Sequence, residues 1–163
     1  MLLLMGIIYA LAFSYMMPKS DWEKGKDLTL QNIASLFTSA PGYGEKELSL
    51  YCKENGECLL ASNLKVVREV LLKDTGRGYI VNPDETFQSI EYQHIKIGSE
   101  EFRPSFVVKC RANGLFDPQV IRSGDKWYYL HPFGKLHTFS DPVTMVSFMR
   151  QSDFLPDRAG YAQ

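Results

Sequence analysis

Basic runs are missing from this chain. Its 18 Lys and Arg are scattered singly among 19 Asp and Glu, for a net charge of −1. No basic stripe is left to follow a phosphate backbone, and no nucleic-acid partner is expected. Catalytic signatures are missing as well: there is no G-x-S-x-G, no H-E-x-x-H and no G-x-x-x-x-G-K-[ST], and "TGRG" (75–78) reads as a turn, not a phosphate cradle. Three histidines are few, and no cysteine or carboxylate stands at a ligand spacing from them, so neither a metal nor a cofactor is expected. Enzyme readings therefore give way to binding and assembly. Three cysteines are too few for a disulfide scaffold.

What is present is a composition of 45% hydrophobic and 13% aromatic residues over 163 positions, enough for one packed domain plus an appendage. Two of the cysteines flank an Asn-Gly pair in "YCKENGECLL" (51–60). A two-residue turn on Asn55-Gly56 would put Cys52 and Cys58 on opposite faces. A three-residue loop, Glu54-Asn55-Gly56, with Gly56 in the left-handed position, would set them directly opposite each other. The second register gathers Leu48, Leu50, Cys52, Cys58 and Leu60 on one face, a cleaner apolar set, and it predicts facing thiols within the span of a disulfide. Two reduced cysteines acting as small core hydrophobes would suit the same neighbours. Cys110, in "FVVKCRANG", is the simplest odd thiol, although pairing with Cys52 or Cys58 stays open.

The longest apolar run, Leu2 to Met17, carries no charge over its sixteen residues and ends at Pro18. That is just short of the roughly 17–25 residues of a spanning helix. A core helix would carry a polar stripe, and here there are only Ser14 and two tyrosines. A cleaved signal peptide would carry a basic start, and "ALA" (10–12) leaves little chain before it. A single-pass membrane anchor is the expected reading, with the lipid bilayer as a partner. Lys19, Lys24 and Lys26 just after the run would keep the remainder in the cytoplasm, whereas facing cysteines favour an oxidising compartment. A short basic leader upstream of Met1 is one way to relieve that conflict, since the sequence begins inside its own hydrophobic segment.

Downstream, "DLTLQNIASLF" (27–37) spaces Leu30, Ile33, Ala34 and Phe37 as the stripe of an amphipathic helix, with Asp27 as its cap. "TSAPGYGE" (38–45) then breaks the helix. Strands are expected at 47–53, 57–62, 64–72, 78–82, 89–98, 102–111, 119–122, 126–131 and 135–140, an antiparallel meander, though "LKVVREVLL" also fits a helical period. Asp141 and Pro142 open a short C-terminal helix. The expected fold is therefore α+β: an anchor helix over 1–18, a charged linker and amphipathic helix over 19–45, a β-rich domain over 46–141, and a short helix and tail over 142–163.

This layout resembles the type IV pilin superfamily, especially minor pilins and the pseudopilins of type II secretion. The matching parts are the apolar residues Leu2 to Met17, Pro18, the helical stretch 27–37 and the β-rich remainder. The family's basic leader and Phe-Thr-Leu-x-Glu motif do not occur here, so no residue inherits their roles. The resemblance implies a non-enzymatic, inner-membrane subunit with a periplasmic or extracellular domain, assembling with other protein subunits. The alternative is an anchored ligand- or protein-binding module with no filament role.

One further hairpin stands out. "WYYLHPFGKLHTF" turns through Pro132-Phe133-Gly134, which sets Trp127 opposite Phe139 and Leu130 opposite Leu136. Its cluster of Trp127, Tyr128, Tyr129, Phe133 and Phe139 is either a partner patch or the inner face of a half-buried strand. His131 and His137 fall on one face beside Tyr129 and Lys135, where Lys135 would repel a metal cation, and His94 stands alone.

Overall fold

The structure, a computed structural model, describes residues 28–151. The expected anchor, the Asp27 cap and most of the C-terminal tail lie outside them. No helix among the described residues is long and apolar enough to cross a membrane.

Ile33–Thr38 forms α1, entered through a 3-10 turn at Leu30–Asn32. The predicted stripe holds: Leu30, Ile33 and Phe37 are buried, joined by Leu36, while Ala34 is half-buried. The first N–H of the turn, on Leu30, is met by Asp74 Oδ2 at 3.0 Å, a capping carboxylate supplied from far along the chain.

Eleven strands follow: β1 (Leu48–Cys52), β2 (Glu57–Ser62), β3 (Lys65–Leu71), β4 (Arg77–Val81), β5 (Phe87–Ser89), β6 (Ile95–Ile97), β7 (Glu100–Phe102), β8 (Phe106–Cys110), β9 (Gln119–Ser123), β10 (Lys126–Leu130) and β11 (Leu136–Phe139). Helix α2 (Pro142–Gln151) ends the described chain. The class is α+β with antiparallel sheets, as the sequence implies. The ambiguous stretch "LKVVREVLL" is strand. A single meander is not what forms. One sheet runs β3-β2-β1-β8, a second β11-β10-β9-β4-β5, and β6-β7 make a separate ribbon. The two long strands expected at 89–98 and 102–111 each break, the first at residues 90–94 and the second ahead of β8 at Arg103–Ser105, where Pro104 cannot donate to a ladder.

Both large sheets face one core. Leu48, Leu50, Leu60 and Val108 of the first meet Ile121, Tyr128 and Leu130 of the second, and Phe37 of α1 meets Phe116 edge-on at 5.1 Å. The residues flanking helix α1 also touch the edge strands of both sheets, through Arg68 of β3, whose guanidinium donates to Ser39 Oγ (3.1 Å), and Thr138 of β11, which accepts from Gln31 Nε2 (2.6 Å). On another side of the core the sheets are joined where Gly78 N–H donates to Ser105 O (3.0 Å). The outer face of the first sheet, Leu59 and Ala61, is covered by Ile97 of the ribbon, and the outer face of the second, Val120, Trp127 and Tyr129, by Met145 and Met149 of α2. Each such apolar side chain is worth about 1.5–3 kcal/mol when fully buried, so a one-residue slip of β2 would exchange two buried faces at once.

Candidate functional site

The β1–β2 turn takes the three-residue form. Cys52 pairs with Cys58 across the strands, Lys53 N–H donates to Glu57 O (2.8 Å), and Gly56 sits at φ +89°. The thiols are joined, Sγ to Sγ 2.07 Å, and both are buried. Asn55 Oδ1 accepts from Glu57 N–H (3.0 Å), which fixes the tip. Cys110 is a buried free thiol, pushed up by burial and then by the Asp117 carboxylate.

The tip of this hairpin lines a cleft of about 450 Å³ at the seam where Gly78 and Ser105 join the sheets. Four segments build it. Lys53, Glu54 and Asn55 come from the turn, Arg77 opens β4, Ile90 to Tyr92 leave β5, and Phe102 to Ser105 lead into β8. Ser105 is anchored by its own N–H (2.8 Å) and its hydroxyl (3.1 Å), both donating to Cys52 O. The disulfide strand and the far wall of the cleft are thereby tied together at the Cys52 carbonyl.

The charges around the cleft are paired. Arg77 donates to Glu54 (2.7 Å) and Arg103 to Glu91 (2.6 Å), while Lys53 donates to Glu100 (2.7 Å) and Glu57 (3.0 Å). Hydrogen bonding to Glu100, then to Glu57, holds the Lys53 ammonium above its ordinary range, and Lys53 in turn holds Glu57 below its own. Glu54 raises Arg77 most, and Glu91 adds to it at longer range. The Lys53 ammonium also lies 5.1 Å from the centre of the Phe102 ring. Tyr92 is pushed up by burial, its hydroxyl 3.5 Å from Gln119 Nε2.

Of the residues singled out by sequence, Cys52 and Cys58 come together beside this cleft. Trp127 and Tyr129 go elsewhere, into the buried layer beneath α2, where Trp127 meets Tyr79 and Phe87 at ring distances of 5.2 and 4.7 Å. Burial pushes the Tyr129 phenol up to about 12. Phe139 is half-buried against Phe148, and only Phe133 of the four lies open, 79% exposed and stacked on His131. His131 and His137 have ring centres 6.4 Å apart, and among the described residues no three His, Cys, Asp or Glu are grouped to hold a metal ion. Arg77, Glu91, Tyr92, Phe102 and Arg103 were not picked out by sequence. Pro104 inside an expected strand was the available signal that the chain leaves the ladder here.

Comparison with known protein families, with curated proteins and with solved structures finds no match for this chain.

Proposed function

We propose that this chain is a non-enzymatic, single-pass inner-membrane subunit whose β domain works outside the cytoplasm in the assembly of a pilus-like or type II secretion-like machine. The disulfide Cys52–Cys58 carries this reading, because such bonds persist in oxidising compartments. The entry of the chain supports it. Leu28 bridges to Leu72, and Lys73 N–H donates to Leu28 O (2.9 Å), so the polypeptide arriving from the apolar segment is tied to the domain before α1 begins. A mechanical link of that kind suits an anchored subunit. The buried Cys110, with its thiol pushed up, suits packing and not nucleophilic attack.

The test is alkylation of the denatured chain, purified without reductant, combined with protease digestion of spheroplasts. One labelled thiol, rising to three after reduction, and a domain in the membrane fraction open to external protease are the expected results. Three labelled thiols from the start, or a protected domain, would remove the proposal. A second reading, an anchored binding module with no filament role, is favoured by the charge-paired cleft. Cysteines placed along 2–17 separate the two, since sister helices in a filament cross-link into ladders and an isolated anchor does not.

A further inference from the structure

We infer that the cleft beside the disulfide hairpin is a binding site for a neutral, hydroxyl-rich ligand, an uncharged oligosaccharide chain. This rests on the second reading above and names its ligand class. At about 450 Å³ the cleft falls within the roughly 300–1,000 Å³ of small-ligand sites.

Several main-chain groups of the walls are already used, which leaves much of the recognition to side chains. Ile90 N–H donates to Gly78 O (2.9 Å), Ser105 O accepts from Gly78, Ser105 N–H donates to Cys52 O, and Tyr92 O accepts from Arg103 Nε (2.6 Å). An incoming strand would find little ladder to extend at these positions.

The side chains then select by charge. Arg77 and Arg103 are each held by one carboxylate at 2.7 and 2.6 Å, and Lys53 by two. A ligand anion meets a carboxylate beside each guanidinium and a ligand cation meets a guanidinium beside each carboxylate, so neither finds the unopposed charge that would favour it. A hydroxyl behaves differently. It donates to a carboxylate oxygen and accepts from a guanidinium N–H at once, bridging the pair without breaking it. Both pairs keep edges open to solvent, with side-chain exposures of 49% and 73% for Arg77 and Glu54 and 53% and 63% for Arg103 and Glu91. Two charge-paired groups therefore line one space, and the hydroxyls of a sugar can donate to the carboxylate and accept from the guanidinium of either pair.

Between them the wall is apolar. Ile90, Tyr92, Phe102 and Pro104 line it. A sugar ring presents hydroxyls at its rim and C–H groups on its faces, so rim and faces meet the polar and apolar parts of this surface respectively.

The test is calorimetric titration of the full chain in lipid nanodiscs, free of glycoside detergents. The probes are cellotetraose, tetra-N-acetylchitotetraose, a sulfated heparin tetrasaccharide and an octapeptide of alternating Lys and Glu. Expected is saturable binding of a neutral tetrasaccharide that changes little with salt. It should weaken about tenfold in Glu91→Gln and in Arg103→Gln, the loss of one charge-assisted hydrogen bond. Arg150→Gln, outside the cleft, should bind as the unaltered chain does. Binding of the sulfated probe alone, with a steep salt dependence, would overturn the ligand class and mark an anion site. Binding of the peptide alone, lost in Arg103→Gln, would overturn it too while leaving the binding-module reading in place. If no probe binds, or if neutral binding survives both cleft variants, the site itself falls.

Discussion

At the β1–β2 turn, Gly56 N–H donates to Lys53 O and Lys53 N–H to Glu57 O; at the β10–β11 turn, Gly134 N–H donates to His131 O and His131 N–H to Lys135 O. The two frames are the same, with the third loop residue a left-handed glycine at φ +89° and +78°. Their surroundings differ. The first turn is pressed against the chain after β3, where Leu72 N–H donates to Gly56 O (2.9 Å), and a disulfide closes the strands behind it. The second is also tied to a distant segment, Phe116 N–H donating to Pro132 O (2.8 Å), but no disulfide closes its strands, Phe133 N–H donates within the loop to His131 Nδ1 (3.2 Å), and its tip carries the exposed Phe133. One backbone solution thus serves a rigid, polar tip that lines a cleft and an open, aromatic tip that lines none. The difference is made by the neighbours of the loop and not by the loop.

The largest break in this comparison should come from Gly56→Val. A Cβ at Gly56 would lie 2.4 Å from Leu72 O, a backbone atom that cannot step aside, whereas a Cβ at Gly134 would first meet the Phe116 ring at 2.9 Å. The left-handed position costs a β-branched residue about 1–2 kcal/mol in either turn, and overpacking against fixed backbone adds about 1–3 more at Gly56. Urea denaturation should show Gly56→Val losing about 3 kcal/mol and Gly134→Val about half that. Equal losses would mean that the Leu72 contact yields freely, and the first tip is then no more rigid than the second.

Replacing both Cys52 and Cys58 by alanine should come next. The bridged residues are six apart, so the loop is short and the entropic stabilisation is about 2 kcal/mol. The register should survive without the bond, because Leu50 and Leu60 stay opposite each other in the core and Leu59 stays under the ribbon. A lowered urea midpoint, together with cross-strand NMR contacts that still pair Leu50 with Leu60, checks this. Loss of those contacts would mean that the sulfur bridge, and not side-chain burial, selects the register, and the two hairpins would differ in kind.

Both turns were legible in the sequence because each offers a glycine as third loop residue, and in the first hairpin one register gathers the cleaner apolar face. Helix α1 was legible for the same kind of reason, since the spacing of Leu30, Ile33 and Phe37 is local. The sheet order was not. Nothing in the sequence of β8 says that it returns to β1, because Cys110 opposite Leu48 and Phe106 opposite Cys52 are meetings between segments more than fifty residues apart. The aromatic hairpin shows the limit within a legible element. Its register followed from the turn, but whether Trp127 and Tyr129 face solvent depended on α2 laying Met145 and Met149 over them. The cleft was missed because its walls come from four separate segments, and its charges reveal their pairing only once those segments meet.

The smallest effect expected is a difference in how the two hairpins respond to pH. His137, on β11, lies 4.5 Å from the Phe148 ring of α2, with His131 and Lys135 as its charged neighbours on the hairpin. Burial first, then Lys135 and His131, hold its imidazole below the ordinary 6.5. The folded protein thus prefers neutral His137, whereas the unfolded chain takes up its proton at the ordinary value. Stability from this group is full above 6.5, declines as pH falls through 6.5 toward the lower folded pKa, and levels off beneath it. Solvent around the half-exposed ring keeps the slope shallow. In the first hairpin the sensitive group is Glu57, held below its ordinary 4.5 by Lys53, so its contribution is present above 4.5 and is lost only as pH falls from there through the lower folded value. Thermal melts of the unaltered chain should therefore show two separate declines on acidification. His137→Gln should flatten the upper one and leave the lower, and Glu57→Gln the reverse. If His137→Gln leaves the upper slope untouched, the imidazole is not held under α2 as described, and the second hairpin is as open along its strands as it is at its tip.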